Sequence, residues 1–180
     1  MKVRDMTLIA VMAALICIAG PMTVPVGPVP LSLASFAVCL AGAVLGWKRG
    51  TAAVALYLLI GLAGVPVFSG FSGGFQKLAG VTGGYLVGYL FCAAVSGSGV
   101  AGPGHPERVS VPLSALRMAA GTVILYAFGT AWFVIQTGRA LGAALSLCVL
   151  PFLPGDAVKI IGASLMTAPI RKAIKNSAVS

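Results

Sequence analysis

Residues 112–136 read PLSALRMAAGTVILYAFGTAWFVIQ, an apolar stretch with one charged side chain, Arg117. A helix of this length can cross the hydrocarbon core of a bilayer. Apolar runs of similar character recur from end to end of the chain, so the sequence predicts an all-α integral membrane protein, residues 1–180, as a single domain. We place its six transmembrane helices at about 6–21, 31–47, 50–65, 80–98, 112–136 and 155–172.

The composition indicates a surface that faces lipid rather than water. Of 180 residues, 59% are hydrophobic and 8% are charged, with a mean hydropathy of +1.05. Soluble domains carry about one quarter charged residues. The net charge of +9 would suggest nucleic acid as a partner of a soluble protein. Here the basic residues flank apolar runs, where they set orientation and attract anionic head groups, so no nucleic-acid partner is expected.

Some segments fit the six-helix pattern less well. The third run is short for a complete span, and the apolar piece at 140–150 is too short to span and ends in Pro151 and Pro154. We expect that piece to lie partly embedded or at the interface. The first run also resembles a cleavable signal peptide, although the prolines that follow it favour a retained helix. The Gly/Ser-rich stretch 96–104 predicts a flexible connector between two three-helix halves.

The distribution of basic residues predicts the orientation. An even number of crossings places both termini on one side, and the side richer in Lys and Arg is cytoplasmic. Three basic residues fall on the opposite side: Lys77, Arg139 and Lys159. Nine fall on the side of the termini: Lys2, Arg4, Lys48, Arg49, Arg108, Arg117, Arg171, Lys172 and Lys175. Both termini are therefore expected in the cytoplasm.

Asp156 and Lys159 form the most informative pair of charges. They stand at the outer end of the last helix, and their i, i+3 spacing places them on one helix face. In one interpretation Asp156 caps the helix and Lys159 merely neutralises it. In the other the pair faces a cavity, where the carboxylate accepts ligand N–H groups and the ammonium meets a ligand anion. A small acid with a urea-like head would suit both groups.

A glycine-rich outer loop is the second candidate for ligand binding. Residues 65–77 and 80–85 combine glycines, which let the backbone approach a ligand, with the apolar side chains of Phe68, Phe71, Phe75 and Tyr85. A simpler alternative is close helix packing through Gly80, Gly84 and Gly88, which recur every four positions. The loop lacks the Lys-Ser/Thr ending of a Walker motif, so nucleotide binding is not expected.

The sequence offers little for metal or catalytic chemistry. The four cysteines fall in apolar runs without metal-ligand spacing, and His105 lies in a Gly/Pro loop. The acidic residues Asp5, Glu107 and Asp156 are far apart in the sequence, and no nucleophile with a neighbouring base is evident. We expect no metal site and no enzymatic activity.

At this point the chain resembles a known family, the biotin-specific substrate-binding (S) components of energy-coupling factor (ECF) transporters, or BioY family. The resemblance covers nearly the whole chain. It is carried by residues 27–33 (GPVPLSL), 64–70 (GVPVFSG) with Gly73-Gly74, 82–86 (TGGYL), and 150–156 (LPFLPGD) followed by Lys159. The family commonly has Pro where Val81 stands, and its absence loosens the expected turn. The family commonly has Gln where Ala34 stands, and its absence removes a possible polar contact, so no ligand role is assigned to the second helix.

The resemblance implies a six-helix bundle that captures biotin outside a bacterial or archaeal plasma membrane. Its implied partners are a transmembrane coupling subunit and ATP-binding cassette ATPases, which use the ATP, so the chain itself needs no cofactor. Asp156 would hold the ureido ring and Lys159 the valerate carboxylate. Further implied biotin contacts are Gly73, Gly74, Gln76, Thr82, Gly83, Gly84 and Tyr85. Phe68, Phe71 and Phe75 would belong to a lid, and Ala10 and Ala14 would contact the coupling subunit.

Two other kinds of transport protein remain open on the residues alone. An S component for another vitamin would share the architecture but lack the pair of Asp156 and Lys159. A self-sufficient membrane carrier or channel would need a polar path, and the centres of the predicted helices hold almost no ionisable residues.

Overall fold

A computed structural model describes residues 3–25, 29–100 and 110–176. Their secondary structure is almost entirely helical. The helices are α1 Val3–Ala19, α2 Ala34–Leu45, α3 Trp47–Leu62, α4 Phe75–Ala79, α5 Gly83–Ser96, α6 Val111–Thr137, α7 Leu141–Cys148 and α8 Leu153–Asn176. Two short strands, β1 Thr23–Val24 and β2 Leu31–Ser32, pair antiparallel with Thr23 opposite Ser32.

The helices overlap the six predicted runs, with differences that hydropathy does not reveal. The predicted helix 31–47 begins instead as strand β2, and α2 ends at Leu45. Gly46, at φ 81°, makes a tight turn directly into α3, which therefore starts before the predicted residue 50. The apolar piece at 140–150 contains α7, and α4 lies inside the glycine-rich loop, where no helix was predicted.

Glycines and other small residues bring the helices into close contact. A Cβ atom added to Gly84 would lie 2.3 Å from the Cβ of Trp132, so α5 packs directly on α6. A Cβ on Gly42 would lie 2.4 Å from the carbonyl oxygen of Ala93, so α2 and α5 also touch through their backbones. Such contacts are typical of helices that associate within lipid, where dispersion and close packing replace the hydrophobic effect.

Arginines join the helices at one end of the bundle. The Arg4 guanidinium of α1 donates to the carbonyl of Ile174 near the end of α8. Arg49 of α3 forms a 3.0 Å ion pair with Asp5 of α1. Arg171 donates at 3.4 Å to the carbonyl of Ala43 at the end of α2. The beginning of α1 and the end of α8 therefore lie together, at an end rich in basic residues.

Helix length limits how the bundle can span a membrane. Within the described residues, α6 is long and apolar enough to cross a bilayer by itself, and α7 with α8 passes the same test as a pair bent by 50°. The twelve residues of α2 rise about 18 Å, against about 30 Å of hydrocarbon. The count of six spans and the location of the termini thus stay predictions.

Several residues used in the sequence analysis lie outside the described ranges. They are Lys2, Gly27, Pro28, His105, Glu107, Arg108 and the second half of the predicted connector 96–104.

Candidate functional site

A cavity opens at the end of the bundle opposite the arginine cluster. It contains about 500 Å³ of space, counted out to its open mouth. The β-hairpin, the first turns of α2, α5 and α8, and the second half of α6 form its walls. The lining residues are Val29, Pro30, Leu31, Ser32, Ser35, Ser69, Thr82, Tyr85, Leu86, Tyr89, Leu125, Tyr126, Phe152, Asp156 and Lys159.

Asp156 and Lys159 lie on one face of α8 and line this cavity. Their side chains are 9% and 12% exposed, and the Lys159 ammonium lies 2.9 Å from Asp156 Oδ1. Two charges so far from water need partners, because the desolvation cost of each is several kcal/mol. The position of Asp156 in the first turn of α8 adds a favourable interaction with the helix dipole.

The Lys159 ammonium is surrounded by acceptors. Besides Asp156 it donates to the carbonyl oxygen of Ser32 at 2.6 Å and to Ser35 Oγ at 3.1 Å. An ammonium has three donors, so all of them are engaged. That Asp156 and Lys159 hold opposite ends of one ligand stays a prediction, and the two groups touch each other in this geometry. Lys159 would have to release a bond to reach a distant carboxylate.

Asp156 is also held from α6 and α2. Tyr126 Oη donates to Oδ2 at 2.6 Å, and Ser35 Oγ makes a longer 3.4 Å contact with Oδ1. The backbone N–H of Asp156 already donates to Phe152 within the helix. These side-chain partners belong to a network across helices, which differs from the simple capping role. A carboxylate accepts about four hydrogen bonds, so it keeps capacity for a ligand N–H.

Aromatic and aliphatic side chains supply the rest of the cavity wall. Tyr85 and Tyr89 of α5 are both 8% exposed, and Phe152 is 4% exposed. The Tyr85 hydroxyl donates at 3.1 Å to the carbonyl of Cys148, which anchors α5 to the end of α7. An apolar pocket with a few convergent polar groups is typical of small-molecule sites.

Thr82 and Tyr85 are the other predicted ligand contacts that line the cavity. Gly83 and Gly84 do not line it, because they pack against neighbouring elements. A Cβ on Gly83 would collide with the carbonyl oxygen of Leu78, and Gly84 faces Trp132. The alternative explanation, close helix packing through Gly80, Gly84 and Gly88, fits the contact of Gly84 with Trp132 of α6.

The predicted lid residues divide into two groups. Phe68 is fully buried, with its ring edge against Tyr57 at 5.5 Å between centroids and its tip over Gly61. It anchors the loop rather than covering a ligand. In contrast, Phe71 and Phe75 are 74% and 70% exposed.

Gly73, Gly74 and Gln76 also lie outside the cavity. Gly74 donates its N–H to the carbonyl of Gly61 at 2.7 Å, and a Cβ on Gly73 would meet the carbonyl of Val65. Gln76 is exposed on α4. These residues shape the loop, and the structure places none of them against Asp156 or Lys159.

Sequence reasoning missed Ser32, Ser35, Tyr89 and Tyr126. Ser32 stands inside the motif LSL at 31–33, so the resemblance could have drawn attention to it. Ser35 follows Ala34, where the missing family glutamine had argued against a ligand role for this helix. Tyr126 is one of several aromatic residues in an apolar run, and nothing in the pattern distinguishes it.

Ala10 and Ala14 lie on the exposed face of α1, four residues apart. Their neighbours Val11 and Leu15 are about half exposed, at 51% and 46%. The face therefore combines small residues with apolar ones and has no partner in the described part of the chain.

Comparison with known proteins identifies the family. The BioY family model matches residues 1–176. The chain belongs to the BioY family. A biotin transporter BioY from Thermotoga maritima is 36% identical over 94% of this chain and 96% of its own length. A probable biotin transporter BioY from Pyrococcus horikoshii is 36% identical over 88% of this chain and 91% of its own.

A solved structure supports the same assignment. The crystal structure of the S-component for biotin from an ECF-type ABC transporter superposes with a TM-score of 0.83, at 29% identity over 95% of this chain and 92% of that one. The BioY-family chain is therefore a membrane protein with the S-component fold. It is a transport subunit rather than an enzyme. The described residues contain no group of three or more His, Cys, Asp or Glu side chains that could hold a metal ion.

Proposed function

We propose that this chain is the biotin-binding subunit of an ECF transporter. The observation that carries the proposal is the hydrogen-bonded network of Asp156, Lys159, Ser35 and Tyr126 in a largely apolar cavity. A cyclic urea presents two N–H donors beside one carbonyl acceptor. Asp156 accepts one N–H, the Tyr126 hydroxyl accepts the other, and Lys159 donates to the carbonyl after it releases its bond to Ser35 Oγ.

In this proposal Asp156 and Lys159 both hold the ureido head of biotin. The ion pair supports that orientation because it places a donor, the Lys159 ammonium, beside an acceptor, the Asp156 carboxylate. The apolar ring and alkyl tail then lie along Tyr85, Tyr89 and Phe152, and the valerate carboxylate points to the mouth. Thr82 and Ser69 stand on the same wall and offer hydroxyl groups to the ligand.

The bundle crosses the plasma membrane of a bacterium or archaeon several times, with the cavity outside and both termini in the cytoplasm. This orientation is supported by the arginines that join α1, α2, α3 and α8 at the opposite end. The bent helix pair α7 and α8 and the tight turn between α2 and α3 fit a six-helix bundle whose shorter helices are extended by their flanking loops.

The partners are a transmembrane coupling subunit and two ATP-binding cassette ATPases. The exposed small-residue face of α1, with Ala10 and Ala14, supports docking of another helix because small residues allow close approach. ATP hydrolysis by the partners then drives release of biotin to the cytoplasm.

Titration of the detergent-solubilised chain with biotin tests the binding function. We expect saturable binding of one biotin per chain by calorimetry, with riboflavin and thiamine inactive at the same concentration. Asp156→Asn should abolish binding while the helical circular dichroism persists, since the amide donates where the carboxylate accepts. Binding of riboflavin or thiamine in place of biotin would refute the assignment.

A neutral derivative of biotin tests the orientation. If the carboxylate points to the mouth, biotin amide should bind nearly as tightly as biotin, because only a solvent-exposed charge is lost. If instead Lys159 holds the carboxylate, the amide should bind far more weakly than biotin. Methylation of one ureido nitrogen should weaken binding in both cases, because a buried acceptor then loses its partner, so the amide alone distinguishes the two orientations.

A further inference from the structure

Two buried thiols lie in contact behind the binding cavity. Cys39 of α2 and Cys92 of α5 are 3% and 0% exposed, and their Sγ atoms are 3.6 Å apart. Both are free cysteines, and the proposed binding function uses neither. The other two cysteines of the chain, Cys17 on α1 and Cys148 on α7, are on different helices and serve as internal references.

The backbones that carry this thiol pair are unusually close. Gly42, three residues after Cys39, approaches the carbonyl of Ala93, the residue after Cys92, so tightly that a Cβ atom would lie 2.4 Å from that oxygen. Disulfides need Cα atoms within about 4.4–6.8 Å of each other. The backbone contact between Gly42 and Ala93, about one turn away, favours the short Cα separation that a disulfide requires.

We propose that Cys39 and Cys92 are an oxidisable dithiol that forms a disulfide between α2 and α5. Two S–H bonds break and one Sγ–Sγ bond forms, and two electrons and two protons pass to an acceptor. Because the pair is shielded from water, the oxidant must be a membrane-permeant two-electron acceptor, such as a quinone, which leaves as the hydroquinone. A charged oxidant confined to water would react more slowly.

The thiol pair is connected to the binding site through α2. Cys39 lines a small second cavity together with Ser35, Asp156 and Lys159. Closing the sulfur separation from 3.6 Å to about 2.0 Å must draw the two helices together or rotate both side chains. Ser35 lies one turn before Cys39 and bonds to Lys159 at 3.1 Å, so oxidation displaces a member of the polar network. This step rests on the proposed function.

Oxidation of the purified full chain tests the thiol chemistry. The protein is treated with diamide, a membrane-permeant azo oxidant that becomes the hydrazine, and then alkylated under denaturing conditions. We expect two of the four thiols to be protected and the peptides of Cys39 and Cys92 to be linked until a reductant is added. Cys39→Ala should abolish protection, whereas the double variant Cys17→Ala with Cys148→Ala should retain it. Four alkylated thiols, or a link between other cysteines, would overturn the proposal.

The effect on the cavity is measured by biotin titration of the reduced and oxidised protein. Losing a hydrogen bond of one neutral hydroxyl should weaken binding about 2- to 12-fold, and the reductant should restore it. Equal affinity of both forms would overturn the connection to the binding site. If the reduced chain binds no biotin, the proposed function fails, and the thiol result is still read from the alkylation experiment.

Discussion

Removing the Tyr126 hydroxyl is the most specific test of how the polar network recognises a ligand. Tyr126→Phe removes one oxygen atom and leaves the ring in the cavity wall. That oxygen donates to Asp156 Oδ2 at 2.6 Å, and its lone pairs remain available to a ligand N–H. The substitution therefore removes a bond that exists without ligand and one that we expect to form only with it.

These two bonds have separate consequences. The bond to the Asp156 carboxylate contributes about 1.5–3 kcal/mol, as hydrogen bonds to charged groups do, and its loss should lower the free energy of unfolding. Both partners of this bond belong to the protein, so its loss by itself should change the affinity for biotin little. The ligand bond is between neutral groups and contributes about 0.5–1.5 kcal/mol, which corresponds to a dissociation constant raised about 2- to 12-fold.

The assay is calorimetric titration with biotin and with biotin methylated on one ureido nitrogen. Tyr126→Phe should bind biotin more weakly and should discriminate less between the two ligands. Tyr85→Phe is the matched control, because it removes a hydroxyl from the same cavity but one that bonds to the Cys148 carbonyl. If both variants lose the same affinity and still discriminate fully between biotin and the methylated ligand, Tyr126 does not bind the ureido group.

Further substitutions test the charge pair, the packing and the docking face. Lys159→Met leaves a buried carboxylate without its cation, and we expect about 3–5 kcal/mol of lost stability in thermal unfolding together with lost biotin binding; unchanged melting would contradict the burial of the pair. Gly84→Leu should destabilise the fold by at least about 1–3 kcal/mol because its Cβ has no room, whereas Gly142→Leu, with nothing within 4 Å, should be neutral. Ala10→Leu with Ala14→Leu should prevent co-purification with the coupling subunit and leave biotin affinity unchanged, and normal assembly would argue against that docking face.

Charge and hydropathy could predict the helices and the central pair of the site. Asp156 and Lys159 were identifiable because ionised groups at membrane depth need a reason to be there. Helix boundaries were harder to predict, because the turn between α2 and α3 depends on the backbone conformation of one residue, Gly46, inside an apolar stretch. Tyr126 was not identifiable, because its role arises only when α6 meets the first turn of α8.

The glycine-rich loop at 65–77 also contains contacts that its sequence pattern does not predict. Phe68 and Phe71 stand three residues apart in similar sequence surroundings, yet one is fully buried and the other is 74% exposed. The difference comes from Gly61 on α3, which leaves space for the ring of Phe68. A pattern of glycines and aromatics predicts a structured loop, but it does not show which ring enters the core.

The closed ion pair also favours one kind of ligand. Every donor of Lys159 has an acceptor within the protein, so the buried charges are paired without any ligand anion. An anionic ligand group that bonds to Lys159 would have to displace Ser32 or Ser35, and it would then lie close to the negative charge of Asp156. A neutral group with adjacent donors and an acceptor can add to the network without separating the pair. The polar end of the cavity is therefore suited to the ureido ring, and the ligand's negative charge is better placed toward solvent.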